Sequence, residues 1–426
     1  MKYFILISRL LVGSLFIISG LIKCNDSIGF SYKLNDYFAE GVLNLEFLIP
    51  YSLGLAAMIC VVEIVLGVAL IFGLIPKITT SLVLLMMLFF TWLTWYTSNC
   101  LTEMEMATKA GEDFFKECVT DCGCFGDAIP LEPYESFLKD LVLLIFTIPL
   151  FFASIFNKIK TNTSAQDLWY SGFSIGLLMI FNIIFTQWWF SLLFVAVLLG
   201  LVYLLKNKIQ KQWSALAGAY ILCLLFTYYC LEHLPVKDFR AYKIGDNLSQ
   251  NMTLGPDAEK GLTEYTWTYS LNGKEMTYVD EGRGPKTYDK IIAVDTEVVV
   301  EPDEPKITDF SIESQEEDLT EAFLSKEKLV ILTLYNINKS NKKGIEKLKT
   351  LSETARKKGY EVIGLTASGE DDVKALKKYQ NLNFNFYYGD EKVIKTMVRS
   401  NPGLIILDKA TVLDKAHWND FENTKF

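Results

Sequence analysis

The chain has 426 residues, of which 51% are apolar and 21% are charged, and its formal net charge at pH 7 is −9. This acidic balance and the absence of a basic patch exclude nucleic acid as an expected partner. Charged residues recur every few positions from Lys237 onward, whereas long apolar runs fill the chain before Leu231. We therefore predict a first half embedded in the lipid bilayer and a water-soluble second half.

Seven segments of the first half have the roughly 20 apolar residues that a helix needs to cross a hydrocarbon core. They cover residues 3–22, 51–74, 78–97, 136–157, 168–186, 188–205 and 212–232. The fifth and sixth segments are joined almost without a loop at Gln187, so a single long helix is the alternative at that point.

Lysine placement favours seven spans over six. With seven spans, all the lysine-rich ends and short loops fall on one side of the membrane, as the positive-inside tendency requires. These lysines are Lys2, Lys77, Lys158, Lys160, Lys206, Lys208 and Lys211. The sequence thus predicts a multi-pass protein of a bacterial inner membrane with a cytoplasmic N-terminus. The loop at 98–135 and the C-terminal half would then face the periplasm.

Two charged residues lie inside predicted spans, Arg9 in the first and Glu63 in the second. An unpaired charge in the bilayer costs several kcal/mol, so such residues are usually paired or functional. The first two spans are antiparallel neighbours, and an ion pair between Arg9 and Glu63 that locks them together is one hypothesis. The other is a proton or substrate role for Glu63.

All eight cysteines precede the soluble half, and five of them fall in the two long outward loops. Cys122 and Cys124 are one residue apart, and a disulfide closed over so short a distance is labile and more often catalytic than structural. One hypothesis is a redox pair at Cys122 and Cys124, resolved by Cys118, Cys100 or Cys24. Structural disulfides from the loop to Cys24 or Cys100 are the second.

A metal site built from these thiolates is the third hypothesis, but the loop contains no histidine, so no metal is predicted. Neighbouring Asp121 and Asp127 should raise the pKa of a loop thiol, which counts against a highly reactive thiolate. The residues themselves indicate no cofactor.

The membrane half resembles the DoxX/MauE-like family of small membrane proteins. The matching features are R-L-L-V-G-x-x-F-x-x-S-G-x-x-K from Arg9 to Lys23, E-x-x-x-G starting at Glu63, and the string CGCFGD from Cys122. The resemblance covers residues 1 to about 155 and implies a four-helix bundle. It also implies a link to the maturation of periplasmic, disulfide-rich enzymes, or to sulfur or quinone redox systems. A quinone or another electron acceptor is therefore a candidate cofactor.

The soluble half begins with a β-rich segment that contains an Asn-Gly turn, YTWTYSLNGKEMTYV. It continues in the order strand, helix, strand, helix, then a two-stranded hairpin and a final helix. That order resembles the thioredoxin fold in its TlpA/AhpC-like form. Pro402 occupies the place of the family's cis-proline loop, and the stretch from Asn338 to Asn341 stands where its Cys-x-x-Cys motif would be. No cysteine follows Cys230, which excludes a dithiol oxidoreductase in this half.

What remains for this half is a binding module, with Pro402, Asn338 and Asn341 as candidate partner-binding residues, or simple structural packing. The predicted organisation is a bundle at 1–157, three further helices at 158–234, a β-rich periplasmic segment at 235–305 and a thioredoxin-like domain at 306–426.

Two functions are compatible with this organisation. The first is assistance in thiol/disulfide handling or maturation of an envelope protein partner, which the soluble domain would bind. The second is a non-catalytic membrane subunit of an envelope complex whose disulfides are only structural. A transporter ranks third, because no second half repeats the first with broken helices.

Overall fold

The computed structural model describes residues 2–111, 113–255, 258–300 and 302–426. The chain forms two compact units, residues 1–240 and residues 241–426. The first unit is helical throughout, and the second contains two β-sheets with helices.

The first unit contains eight helices within the described residues. They are α1 (Lys2–Asn25), α2 (Ser27–Phe38), α3 (Ser52–Phe72), α4 (Pro76–Ala110), α5 (Pro133–Ile155), α6 (Ser164–Phe181), α7 (Trp189–Ile209) and α8 (Gln212–Glu232). Seven of them, all but α2, are long and apolar enough to cross a membrane, and they coincide with the seven predicted segments. The prediction of a multi-span helical membrane region is confirmed.

The fifth and sixth spans are separate helices. A turn of π-helix follows α6, and Gln187 then adopts a left-handed conformation with φ of 47°. The Asn182 side chain stabilises this reversal, because its amide oxygen accepts from the Trp188 backbone N–H at 3.2 Å and from the Ser191 hydroxyl at 3.1 Å. The single long helix considered as the alternative is therefore absent from this part of the structure.

Helix α4 continues 13 residues beyond the predicted end of its span at residue 97 and stops at Ala110. The added residues are mostly good helix formers, and Glu105 and Lys109 form an ion pair of 2.8 Å at i,i+4 spacing. Gly111 ends the helix with φ of 69°, a conformation that glycine adopts without steric cost. The first residues of the outward loop predicted at 98–135 belong to α4 and the last ones to α5, so the loop is shorter than predicted.

Helices α1 and α3 cross in very close contact. A Cβ atom placed on Gly67 would lie 2.5 Å from the Gly13 carbonyl oxygen, and one placed on Gly13 would lie 2.9 Å from the Gly67 carbonyl oxygen. Because neither Gly13 nor Gly67 has a side chain, the two helix backbones come into direct contact, as they do at membrane helix interfaces with small residues. This crossing fixes which residues of α1 and α3 face each other.

The second unit opens with a short helix, α9 (Leu248–Asn251), and a three-stranded antiparallel sheet in the order β2-β1-β3. Its strands are β1 (Leu262–Leu271), β2 (Lys274–Asp280) and β3 (Lys290–Val300). The predicted Asn-Gly turn joins β1 to β2, with positive φ at both Asn272 and Gly273, as this type of hairpin turn requires.

A five-stranded mixed sheet follows, in the order β6-β5-β4-β7-β8. Its strands are β4 (Leu329–Leu334), β5 (Glu361–Thr366), β6 (Asn385–Tyr388), β7 (Gly403–Asp408) and β8 (Thr411–His417), and its helices are α10 (Thr320–Leu324), α11 (Lys342–Lys357), α12 (Glu370–Gln380) and α13 (Glu391–Met397). Strands β4, β5 and β6 are parallel, whereas β7 and β8 are antiparallel. The predicted α/β character of this region is confirmed; β6 and α13 were not predicted.

The β-rich segment and the α/β region, predicted as separate segments, belong to one compact unit. The two regions are joined because the stretch around α9 forms backbone hydrogen bonds with the β7–β8 hairpin. Leu248 N–H donates to the Ala410 carbonyl at 2.9 Å, and Gly245 N–H donates to the Val412 carbonyl at 2.8 Å. The chain before β1 thus contributes backbone hydrogen bonds to the sheet that forms after residue 306.

Candidate functional site

The candidate site is a narrow cavity of about 50 Å³ in the first unit. Residues of α1, α2, α3, α4 and α5 line it, together with the loop between α4 and α5. The lining is mainly apolar and includes Leu15, Phe16, Phe30, Leu34, Ile59, Met87, Phe90, Leu93, Phe125 and Leu143. The polar side chains in this lining include four charged residues and both cysteines of the candidate redox pair.

Cys122 and Cys124 both line the cavity and are free thiols; Cys122 is buried and Cys124 is half-buried. Their loop is anchored on two sides. Cys118 forms a disulfide with Cys100 of α4, with a Cα–Cα distance of 5.7 Å. The Ser19 hydroxyl of α1 donates to the Cys124 carbonyl at 3.0 Å. The sequence-predicted residues Cys122 and Cys124 are therefore brought together, whereas Cys118 is already bonded elsewhere.

The residue between the two cysteines has a conformation suited to glycine. Gly123 has φ of 64°, and its N–H donates to the Asp121 carboxylate at 2.8 Å. Asp121 in turn forms an ion pair of 3.2 Å with Lys33 of α2. This tight turn directs the side chains on either side of Gly123 into the same cavity.

Glu63 forms a buried ion pair with Lys23, not with Arg9. The Lys23 Nζ and Glu63 Oε2 atoms are 2.7 Å apart, and each side chain is only 4% exposed. Both side chains line the cavity, and the Lys23 ammonium also lies 5.0 Å from the ring centroid of Phe90. The hypothesis that an ion pair joins the first two spans holds for Glu63, but its partner was predicted wrongly.

The antiparallel crossing of α1 and α3 explains the correction. Because Gly13 lies against Gly67, Arg9 lies near the end of α3, about two turns from Glu63. Its guanidinium donates instead to the Leu70 carbonyl at 3.0 Å and the Ile71 carbonyl at 3.2 Å. Arg9 therefore lies outside the thiol cavity.

A second ion pair at the cavity was not predicted. Lys139 and Asp140, both of α5, are 2.6 Å apart, and the Thr94 hydroxyl donates to the second carboxylate oxygen of Asp140 at 3.3 Å. The Lys139 ammonium lies 5.2 Å from the ring centroid of Phe125. The signal available in the sequence was a pair of adjacent opposite charges inside the predicted fourth span, which is the kind of feature that marks a buried site.

Burial dominates the protonation of the loop thiols. It raises the pKa of Cys122 to about 12, with a further increase from neighbouring Cys124 and a smaller one from Asp121, while a hydrogen bond with Tyr37 opposes the shift. Burial also raises the pKa of Cys124, but there the ammonium groups of Lys139 and Lys23 oppose it. Both thiols are thus protonated at neutral pH, and Cys124 has the better support for a thiolate.

This protonation state predicts a pH dependence of alkylation. In a Cys124→Ala variant, Cys122 should react with iodoacetamide about tenfold faster for each pH unit up to about pH 10, because only the thiolate reacts and its fraction keeps rising below the pKa. A cysteine introduced at exposed Thr102 serves as the control, and its rate should level off above about pH 9. A plateau for Cys122 at the same pH as the control would contradict the assignment.

The three candidate residues of the second unit lie near one another at the start of α11. The Asn341 side chain caps this helix by accepting from Lys343 N–H at 2.9 Å, and the Asn341 backbone N–H donates to the Asn401 carbonyl at 2.8 Å. Pro402 follows a cis peptide bond and is buried, whereas Asn338 is exposed in the preceding turn. Asn338 and Asn341 can thus be reached by a partner, and Pro402 acts mainly in packing.

Within the described ranges, no group of three or more His, Cys, Asp or Glu side chains is arranged to hold a metal ion. Comparison with known proteins adds one relationship. Residues 1–100 match the family model described as Methylamine utilisation protein MauE, which extends from α1 through most of α4 and includes Lys23 and Glu63. The match ends before Cys122. The comparisons with curated proteins and with solved structures found no match.

Proposed function

We propose that this chain is a membrane thiol–disulfide exchange protein that assists the maturation of an envelope protein, with Cys122 and Cys124 as the exchanging pair. The observation that carries the proposal is the position of these two free thiols, one residue apart, in a cavity that also contains the buried Lys23–Glu63 pair. The partial match to the MauE family supports it, and the printed family name associates those proteins with methylamine utilisation.

The two thiols have different environments, which assigns them different roles. Cys124 is the less buried of the two and has Lys139 and Lys23 nearby, so it is the attacking thiol. Its thiolate attacks a disulfide of the client and releases one client thiol. Cys122 then attacks the resulting mixed disulfide, which releases the second client thiol and leaves a Cys122–Cys124 disulfide. One client disulfide is reduced and one dithiol is oxidised in the exchange.

A second dithiol, from a protein or a small molecule, must then reduce the Cys122–Cys124 disulfide to restore the pair. Strongly oxidising pairs are those whose reduced form is stabilised. The raised pKa values of Cys122 and Cys124 indicate no such stabilisation, so they are consistent with a pair that reduces its client. Cys118 was a candidate resolving thiol, but in that role its disulfide with Cys100 would have to open first. We assign that disulfide to anchoring the loop.

A quinone is the acceptor suggested by the family resemblance. The aromatic walls and the ammonium groups of Lys23 and Lys139 suit such a ring chemically. The volume of the thiol cavity does not suit a quinone ring, because about 50 Å³ is well below the roughly 150 Å³ of a cavity that holds benzene. The exchange proposed here therefore passes between dithiols and disulfides only.

For the second unit we propose a thioredoxin-like binding module that holds a periplasmic or envelope protein partner. The support is its strand order, in which three parallel strands are followed by an antiparallel hairpin on the other side of β4. Exposed Asn338 and half-buried Asn341 would contact the partner, with Pro402 fixing the loop beside them. The unit has no cysteine, so its contribution is binding and not exchange.

We propose an inner-membrane orientation with a cytoplasmic N-terminus and a periplasmic second unit. The support is that the lysine-rich ends of the helices are the start of α1, the α3–α4 and α5–α6 connections, and the α7–α8 connection. In a bundle of seven spans these all lie at one end, and the positive-inside tendency places that end in the cytoplasm.

A second candidate function is a non-catalytic membrane subunit with structural disulfides. The Cys100–Cys118 disulfide and the raised pKa of the Cys122 thiol favour it. The two candidates differ in one respect, which is whether Cys122 and Cys124 ever form a bond with another protein.

Trapping separates the two candidates. In a Cys122→Ala variant the attacking Cys124 remains but its resolving partner is gone, so a mixed disulfide with a client should accumulate as a reducible band on a non-reducing gel. A Cys124→Ala variant should show little or none of this band, and the double variant none. Cys223→Ala is the matched control, because this buried thiol lies in α8 outside the cavity lining. If no variant gives a mixed disulfide and the double variant supports client maturation normally, the exchange proposal is wrong.

A further inference from the structure

A second cavity, of about 780 Å³, lies in the first unit far along α1 from the thiol cavity. It is bounded by the first turns of α1, the connection between α5 and α6, and the first turns of α6. Four cationic side chains line it, namely Lys2, Arg9, Lys158 and Lys160, and no acidic side chain is among its lining residues. The cavity is therefore large and positively charged.

Arg9 provides this cavity with a rigidly held guanidinium group that still has N–H groups available for hydrogen bonding. The side chain is only 8% exposed, and its Nε and Nη2 atoms donate to the Leu70 and Ile71 carbonyls and, at 2.9 Å, to Asn162 Oδ1. Its Nη1 atom has no hydrogen-bond partner within the described part of the chain. A guanidinium held rigidly by three acceptors with one nitrogen left over is well placed to bind an anion.

The acidic side chain that interacts with Arg9 offsets only part of the positive charge around the cavity. Asp167 of α6 lies close enough to interact with Arg9, but one of its oxygens is 2.5 Å from the Lys206 ammonium, and it does not line the cavity. Lys158 and Lys160 are exposed, and the one ring contact that either makes among the described residues, from the Lys158 ammonium to the Phe156 ring at 5.9 Å, leaves both able to approach a ligand. The net charge facing the cavity is positive.

The rest of the lining combines neutral polar side chains, such as Thr161, Thr163 and Gln166, with apolar ones that a lipid could contact. Ile5, Leu6 and Ile159 provide apolar walls, and the ring of Tyr170 lies 5.9 Å from the Arg9 guanidinium carbon. Basic pockets between membrane helices next to apolar surface are where anionic lipid head groups bind. An acyl chain could follow the apolar surface of α1, where Phe4 and Ile7 are exposed, while the phosphate meets the cations.

We propose that this cavity binds the phosphate of an anionic phospholipid, with Arg9 at its base and Lys158 and Lys160 at its mouth. The site is independent of the thiol cavity and of the exchange reaction. It would hold the α5–α6 connection against α1 and so tie the four-helix part of the unit to the three helices that follow.

Native mass spectrometry of the full chain in detergent tests the proposal with phosphatidylglycerol and phosphatidylcholine of identical acyl chains. Phosphatidylglycerol should bind at least about tenfold more tightly, and a Lys158→Gln/Lys160→Gln variant should lose about tenfold of that affinity. The matched control is Lys208→Gln/Lys211→Gln, which removes two exposed lysines of the same lysine-rich end outside the cavity. Its affinity should stay close to that of the unmodified chain.

Four results would overturn the proposal. Equal loss in both double variants would mean a diffuse positive surface and no site. Equal binding of the two lipids would mean that the net negative charge of the lipid is not recognised. Displacement of phosphatidylglycerol by millimolar inorganic phosphate would mean a site for free anions. An Arg9→Lys variant that elutes as a folded monomer and retains full phosphatidylglycerol affinity would remove Arg9 from the site.

Discussion

A Glu63→Gln variant should lose about 3–5 kcal/mol of unfolding free energy, measured by SDS titration of the full chain in detergent micelles. The reason is that Lys23 would keep its charge in a place where it is 4% exposed and 2.7 Å from the missing carboxylate oxygen. Lys23→Met should cost a similar amount, because it leaves the Glu63 carboxylate buried without its partner. A Lys23→Met/Glu63→Met double variant should recover most of the loss, since buried ion pairs can often be replaced by apolar side chains.

Glu105→Gln is the matched control for this experiment. Glu105 pairs with Lys109 at 2.8 Å, but both side chains are more than half exposed, so its removal should cost only about 0–1 kcal/mol. If Glu63→Gln were no more harmful than Glu105→Gln, the Lys23–Glu63 pair would not be an important contact between α1 and α3.

The double variant also separates the two hypotheses for Glu63 that the sequence left open. Because Lys23 also supports the Cys124 thiolate, the activity of the double variant is compared with that of Lys23→Met. If the pair only locks two helices together, the double variant should retain at least as much client maturation as Lys23→Met. If Glu63 moves a proton during exchange, the double variant should be more stable than Lys23→Met but less active.

The helical half of the fold could be predicted from the sequence because span length and hydrophobicity are local properties. The seven spans followed from runs of apolar residues, and the separation at Gln187 followed from the distribution of lysines. The extension of α4 to Ala110 was not predicted, because the polar residues after residue 97 indicate the end of the membrane span and give no sign of where the helix ends. Helix formation by those residues does not require a membrane.

The partner of Glu63 could not be predicted, because it depends on tertiary register. The contact between Gly13 and Gly67 sets how far α1 slides along α3, and a shift of two turns decides between Arg9 and Lys23. The pairing of the cysteines likewise depends on tertiary structure and could not be predicted. The loop could be tied to Cys100 or Cys24, and the length of α4 beyond its span places Cys100 beside Cys118.

In the second unit, the pattern of apolar strands predicted the parallel core but missed the short elements. Strand β6 has four residues and α13 has seven, too few for a clear period. The hydrogen bonds from the α9 region to the β7–β8 hairpin join positions about 160 residues apart, which no local pattern indicates. Lys139 and Asp140 were missed although the sequence shows them as adjacent opposite charges, because only the fold brings them to the same cavity as Cys122 and Cys124.

The second large effect concerns the cysteine pair itself. If the pair exchanges disulfides, Cys122 and Cys124 should occur in two redox states in native membranes, whereas Cys100 and Cys118 should stay bonded. The anchoring disulfide is the internal control, because Cys118 lies in the same loop and is half-buried like Cys124, while Cys100 is buried like Cys122. Changing both Cys122 and Cys124 to alanine should abolish exchange while leaving the chain folded, since neither thiol holds the loop in place.

Differential alkylation followed by mass spectrometry measures the redox state of each of these four cysteines directly, in membranes prepared under acid quench. Free thiols are blocked first, disulfides are then reduced, and the newly freed thiols receive a second label. We expect both labels at Cys122 and Cys124, with a shift toward the second label after client is added, and only the second label at Cys100 and Cys118. Only the first label at Cys122 and Cys124, with or without client, would contradict thiol–disulfide exchange at this site.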